Sequence, residues 1–195
     1  LPIYPGAFME KTKEMYHQPE KDEFDLLELK DGRILERYSI PQRIGDRIVG
    51  RVWSLRDITD RFYAEAELKK LSRAIDASPA SVVITDYDGN IEYINPKFTE
   101  VSGYTLDDVL GQNPRTLNSG RHAPQFFKEL WDTITAGRQW QGEFQNKNKD
   151  GQTYWELASI SPVMNPHGQI THYVAVKEEI TNRKKQENEI GRAHV

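Results

Sequence analysis

A chain of 195 residues has room for one or two domains, and a formal charge of −4 gives it no overall attraction to nucleic acid. It contains no cysteine, which excludes disulfides, thiolate metal sites and cysteine nucleophiles and fits a cytoplasmic protein. No apolar run approaches the roughly 20 residues needed to cross a bilayer, and the proline-broken start "LPIYPGAFMEK" does not read as a signal peptide. The absence of an initial Met and the closing "GRAHV" suggest a piece of a longer protein, with residues 184–195 the start of a further helix carrying appended residues.

In chain order, the first readable unit is "DGRILERYSIPQRIGDRIVGRVWSLRDITDR" (31–61). Asp31-Gly32 makes a tight turn because glycine accepts positive φ. "ILERYSIP" is rich in strand formers, and "IVGRVWSLRDI" returns as its partner. The pattern recurs as "DGQTYWELASISPVMNPHGQITHYVAVKEEITNR" (150–183). Asp31-Gly32 matches Asp150-Gly151, Pro41 matches Pro162, and Gly45-Asp46 matches His167-Gly168. Ile58-Thr59 with Arg61 matches Ile180-Thr181 with Arg183. A long segment precedes the second copy and only a short one the first, so the first reads as the tail of a truncated domain.

Residues 62–78 carry no Gly or Pro and read as a helix. Ala64, Leu68, Leu71 and Ile75, spaced 4, 3 and 4 apart, form a coiled-coil-like stripe. The stripe fits either a helix lying on its own domain or a dimerising helix between domains.

Beyond Pro79, "SVVITD" (81–86) and "IEYIN" (91–95) are strands joined by the turn "YDGN". Pro96 opens a short helix that ends at Gly103, and Thr105 caps another turn, "LDDVLG". "APQFFKELWDTITAG" is a longer helix with Phe127, Leu130, Trp131 and Ile134 on one face and Gly137 as its stop. "WQGEFQNKNKDG" is a strand leading into the Asp150 turn. The order predicts an α+β fold, a five-stranded antiparallel sheet with helices over one face. No P-loop, GxSxG, histidine metal cluster or dinucleotide glycine motif is present, and Asp107-Asp108 and Glu178-Glu179 read as solvated faces. The chain is therefore expected to be non-catalytic.

The hairpin "VVITDYDGNIEYIN", Phe98 with "SGYT" at 102–105, "VLGQNPR" and the closing "DG…W…SISPV…G…V…EEIT" together resemble the PAS domain family over about residues 72–183. The resemblance divides the chain into the C-terminal part of a first PAS domain (1–61), a linker helix (62–78), a complete PAS domain (79–183) and the start of a signalling helix. Asp57, Ile58 and Thr59 resemble the Asp-Ile-Thr ending that joins PAS domains to such helices; Glu179, Ile180 and Thr181 repeat it with a longer carboxylate. The family implies a sensory or relay module of a bacterial-type signal-transduction protein, a histidine kinase or a cyclic-dinucleotide regulator, with its output domain outside this chain. It also implies a homodimer, through helix 62–78 and PAS surfaces, with no nucleic-acid or membrane partner. A ligand-free interaction and dimerisation module is the alternative.

The candidate pocket wall is "GQNPRTLNSGRH" (111–122), and three readings compete for it. In light-sensing flavin-binding relatives this loop reads Asn-Cys-Arg-x-Leu-Gln; Asn113, Arg115 and Leu117 match, and Arg115 would meet a flavin phosphate. Pro114 replaces the reactive cysteine and rules out a cysteinyl–flavin photocycle. Asn146 matches a ring-facing Asn, whereas Glu156 and Lys177 replace neutral amides and are expected to pair with each other across adjacent strands. A redox-sensing FAD, as in similar flavin sensors of nitrogen-fixation and methane-oxidation regulators, would use Asn113, Ser119-Gly120 and Trp140. Haem needs an axial ligand, for which His122 is the candidate near the pocket, although a histidine before "APQFF" reads more simply as a helix-start or surface residue. In the third and preferred reading the loop is structural: Pro114 fixes the turn while Asn113, Asn118 and Ser119 satisfy backbone groups.

Overall fold

A computed structural model describes residues 2–193; of the terminal "GRAHV", His194 and Val195 lie outside the described residues. The chain divides into two compact units that meet at Leu71 and Ser72.

The first unit opens with α1 (Pro5–His17), which the proline-broken start does not announce; Pro5 sits in its first turn, where a missing N–H costs nothing. Three strands follow as an antiparallel meander: β1 (Glu23–Glu28), β2 (Ile34–Ile44) and β3 (Arg47–Asp57). Among the described residues of this unit the buried apolar ones are Leu29, Ile34 and Ile58. A charged group completes the interior. Arg37 is 3% exposed and donates to both carboxylate oxygens of Asp25, at 2.7 and 2.6 Å. Its guanidinium also lies over the rings of Phe8 and Trp53, at 4.7 and 5.3 Å. Planarity and five fixed donors suit arginine to such a place.

Helix α2 (Thr59–Asp76) leaves β3 and starts ahead of the predicted residue 62. The cause is local: the Asp57 carboxylate accepts from the Thr59 amide at 3.0 Å. The helix ends before Pro79, as the restriction on residues preceding proline requires. None of its residues is buried.

The second unit contains β4 (Ser81–Asp86), β5 (Ile91–Ile94), α3 (Pro96–Ser102), α4 (Leu106–Val109), a 3-10 turn (Pro114–Leu117), α5 (Pro124–Thr135), β6 (Trp140–Lys147), β7 (Thr153–Met164) and β8 (Ile170–Glu179). Helix α6 (Thr181–Ala193) follows β8. The sheet runs β5-β4-β8-β7-β6, antiparallel throughout, so the expected α+β fold with a five-stranded sheet is what the chain adopts. Two buried clusters fill it. One joins Val83, Ile91, Ile94, Phe98, Val109 and Leu117; the other joins Leu130, Ile134, Trp140, Phe144, Ala158 and Tyr173.

Asn95 holds the entry to α3. Its buried side-chain oxygen accepts from the amides of Val82 (2.8 Å) and Phe98 (3.1 Å), and its Nδ2 donates to the carbonyls of Ile75 and Ala80. One side chain thus caps a helix, fixes β4 and holds the end of α2. Asn95→Ala leaves these groups without partners and is expected to cost about 2–3 kcal/mol. Urea unfolding of the second unit, followed by tryptophan fluorescence, reads that loss; an unchanged midpoint would remove Asn95 from this role.

Candidate functional site

Strand alternation and one helix face build a cavity in the second unit. Tyr173, Ala175 and Lys177 of β8, Val83 and Thr85 of β4, Ile160 of β7, and Phe144 and Asn146 of β6 line it from the sheet. Phe127, Leu130, Trp131 and Ile134 line it from α5, at the helical spacing expected from the sequence. Its volume is about 370 Å³, within the range of roughly 300–1,000 Å³ usual for small-molecule sites. Gly89, Asn113, Pro114, Arg115 and Asn118 complete the wall.

Two glycines decide where the tryptophans go. At Gly89 a Cβ would stand 2.7 Å from the Trp131 ring, and φ is +85°, so both space and backbone require glycine there. Trp131 thereby lies against the β4–β5 turn and forms a cavity wall, edge-on to Tyr173 at 5.8 Å between ring centroids. At Gly142 a Cβ would collide with the Trp140 ring. Trp140 therefore folds down along its own strand and packs edge-on to Phe126, at 5.3 Å, away from the cavity.

The loop 111–122 is stitched at both ends. Asn113 accepts from the Arg115 amide and donates to the Gly89 carbonyl, both at 3.1 Å. Asn118 bridges to Asn146, and the Ser119 hydroxyl donates to the Gln145 carbonyl. The Gln145 amide donates to His122 Nε2 at 2.8 Å. The His122 ring stacks on Phe126 at 4.3 Å. That nitrogen is engaged by the backbone, and His122, the residue considered as a haem ligand, is not among the cavity-lining residues.

Asn113, Arg115 and Asn146 are on the cavity, and Lys177 joins them. Leu117 lies in the hydrophobic cluster around Phe98, Ser119 is engaged by β6, and Trp140 is packed as described. Glu156 does not line the cavity either: it is 2% exposed and sits behind Asn146, whose Nδ2 donates to it at 2.7 Å. Lys177 Nζ is 3.6 Å from the same carboxylate, so the expected cross-strand pair exists. Trp131, Tyr173, Thr85 and Gly89 are cavity residues that sequence reasoning did not single out; only the helical spacing of Trp131 gave a signal. Among the described residues no group of three or more His, Asp or Glu could hold a metal ion, and no helix is long and apolar enough to cross a membrane.

The two strand-to-helix junctions share one geometry. Ile58 donates to the Ile34 carbonyl (3.0 Å), and the Ile34 amide donates to Thr59 Oγ1 (3.0 Å). Ile180 donates to the Trp155 carbonyl (2.8 Å), and the Trp155 amide donates to Thr181 Oγ1 (2.9 Å). Both isoleucines are buried. Asp57 adds its carboxylate to Thr59, a contact that Glu179 does not make with Thr181. Ala64, Leu68 and Leu71 of the stripe are exposed in the described chain, Leu68 at 67% and Leu71 at 51%, while Ile75 is half-buried.

A small antiparallel sheet, helices over one face, an aromatic-walled cavity between them and a helix launched from the last strand define a sensory type of α+β domain. Residues 79–182 match the PAS domain family, and the chain belongs to that family. It is 35% identical over 107 residues to a nitrogen fixation regulatory protein of Klebsiella pneumoniae, covering 55% of this chain and 22% of that protein. It is 31% identical over 94 residues to a blue-light-activated histidine kinase of Brucella canis, covering 48% and 19%. The chain thus spans about a fifth of the length of these curated relatives. The crystal structure of the PAS domain of a protein from Colwellia psychrerythraea superposes with a TM-score of 0.52 at 23% identity, over 60% of this chain and 98% of that one, a likeness of fold.

Burial holds the His122 imidazole below its ordinary pKa, so the folded state keeps it neutral. The unfolded chain takes up its proton near pH 6.5 and the folded chain only at lower pH. The stability this difference supplies is full above pH 6.5 and is lost as pH falls through the folded value. His122→Gln is expected to flatten the fall in stability between pH 7 and acid, and NMR titration should place the His122 pKa below 6.5; a value above that would contradict the burial argument.

Proposed function

We propose that this chain is a non-catalytic sensory and relay module of a signal-transduction protein, and that the cavity of its second unit takes a flat aromatic ligand of the flavin class, FAD. The observation that carries the reading is the cavity itself, walled by Trp131, Phe127, Phe144 and Tyr173 and polar at Asn146 and Lys177. The residues fit such a group in a further respect. The Tyr173 hydroxyl is buried with no hydrogen-bond partner among the described residues, and the Lys177 ammonium stands 3.6 Å from Glu156, beyond hydrogen-bond length. Arg115, exposed on the cavity wall, suits a phosphate. A bound flavin supplies reversible electron transfer, and because Pro114 stands in the loop the signal would be redox state and not a cysteinyl adduct.

In this reading residues 1–61 are the closing part of a first PAS domain, 62–78 the linker, 79–183 the sensing domain and 184–195 the beginning of the output helix. The purified chain should be yellow, or become so with FAD, and FAD should quench the fluorescence of Trp131. A chain that stays colourless and unquenched in excess FAD would sink the flavin reading.

The exposed residues of the α2 stripe support a second component, homodimerisation through that helix. Leu68→Ala with Leu71→Ala should shift the mass in light scattering from dimer towards monomer; an unchanged mass would exclude α2 as the interface.

A further inference from the structure

The charge pattern around Lys177 goes further than the aromatic walls. Lys177 is 5% exposed and lines the cavity. An ammonium has three donors. Its neighbours are the Glu156 carboxylate at 3.6 Å, beyond hydrogen-bond length, and the Phe144 ring at 5.6 Å. Glu156 is held on its other side by Asn146 at 2.7 Å and is kept off the cavity surface. The cavity thus meets a buried cation with unused donors and no carboxylate; its other charged lining residue, Arg115, is also a cation.

The internal repeat supplies an independent comparison. Glu156 is in register with Glu179 and Ala158 with Lys177; in the first copy Leu35 is in register with Asp57 and Arg37 with Leu55. Aligning Asp57 with Glu179 puts Leu35 and Leu55 where the second copy has Glu156 and Lys177. The same hairpin and the same helix junction form in the first copy with a half-buried Leu35 and a 60% exposed Leu55 at those places, where the second copy buries a charged pair. Buried ion pairs generally stabilise no better than apolar residues of similar size. The hairpin and junction thus form without charge at these two places, and in the second copy the ammonium of the pair lies on the cavity.

We infer that Lys177 is a specificity-determining residue that makes the cavity select a ring whose edge carries negative charge, so that FAD is held more tightly reduced and anionic than oxidised and neutral. The redox form of this statement rests on the flavin reading above. Lys177 meets a neutral ring or, once two electrons and one proton have been taken up from a soluble reductant, a ring with one negative charge. Only the second adds a negative charge on the cavity side of the ammonium, opposite Glu156, in a site of low dielectric. Glu156 competes for the same ammonium and limits the preference.

The test is anaerobic reductive titration of the FAD-loaded chain with dithionite against indicator dyes. Lys177→Gln should reduce the preference for reduced over oxidised FAD about tenfold, a midpoint lowered by about 30 mV for a two-electron couple. Glu156→Gln should move it the other way. Opposite signs from two variants of one pair are not what a general loosening of the fold produces, and the doubly neutral Lys177→Gln/Glu156→Gln chain controls for folding. A parallel arm uses 2-naphthoate against 2-naphthalenemethanol, read by Trp131 fluorescence. Wild type should prefer the anion about tenfold, and Lys177→Gln should not. Naphthoate selectivity that depends on Lys177 in a chain that refuses FAD would remove the flavin reading and keep this one. FAD binding with unshifted midpoints, or absent naphthoate selectivity, would overturn the role of Lys177 and leave the flavin reading standing.

Discussion

The pairing of β4 with β8 is the constraint on which the second unit depends. It is antiparallel and long-range, matching Ser81 to Lys177, Val83 to Ala175 and Thr85 to Tyr173. Closing so long a loop costs chain entropy, which burial of Val82, Val83 and Tyr173 offsets. Once it is closed, the intervening chain is confined. The β4–β5 hairpin lies on one side of the pair, the β6–β7 hairpin on the other, and the helices between them have one sheet face to cover. The cavity is the space those helices leave over the central strands.

The loop 111–122 is tied down at both ends. It must span from β5 to α5 across the cavity edge. At one end Gly111 and Gln112 exchange backbone hydrogen bonds with Ile91, and Asn113 reaches Gly89. At the other, Asn118, Ser119 and His122 attach it to neighbouring residues of β6. A stretch rich in Asn, Ser, Arg and His reads in sequence as a ligand loop. Most of those polar atoms instead satisfy backbone groups that a loop against a core would otherwise leave unpaired. What the loop contributes to the cavity is a wall, with Arg115 keeping its charge for whatever lies beside it.

The fold was legible because its signals are local. Asp-Gly turns, alternating strands and the Pro-started, Gly-stopped helices each fix a short segment, and the repeat assigns two hairpins at once. Helix α1 was not legible, since prolines at the chain start mask a helix held by contacts such as Arg37 on Phe8. The site was half legible. Asn113, Arg115 and Asn146 could be placed by motif, but the choice between Trp131 and Trp140 as the cavity aromatic turns on which glycine each ring covers. Glu156 illustrates the same limit. Alternation along β7 gives its face of the sheet, but not that Asn146 and Lys177 stand between it and the cavity.

The position of the Glu156–Lys177 pair also explains how a binding event could leave the domain. Along β7, residues alternate between the cavity face and the opposite face. Glu156 points inwards, while its neighbour Trp155 holds the start of α6: its amide donates to Thr181, its carbonyl accepts from Ile180, and Lys184 lies over its ring at 5.6 Å. Glu143 of β6 adds an ion pair to Lys184 at 2.7 Å, one residue from the cavity-lining Phe144. A ligand that draws Lys177 away from Glu156 changes the charge on one face of two strands whose other face anchors the helix. No long path is needed, because a single peptide bond separates the inward carboxylate from the outward tryptophan. The anchor at Thr181 lacks the carboxylate clamp that Asp57 gives Thr59; the ion pairs of Arg183 and Lys184 with Glu143 fasten it instead, so this junction is tied to β6, the strand that carries Phe144 and Asn146 to the cavity.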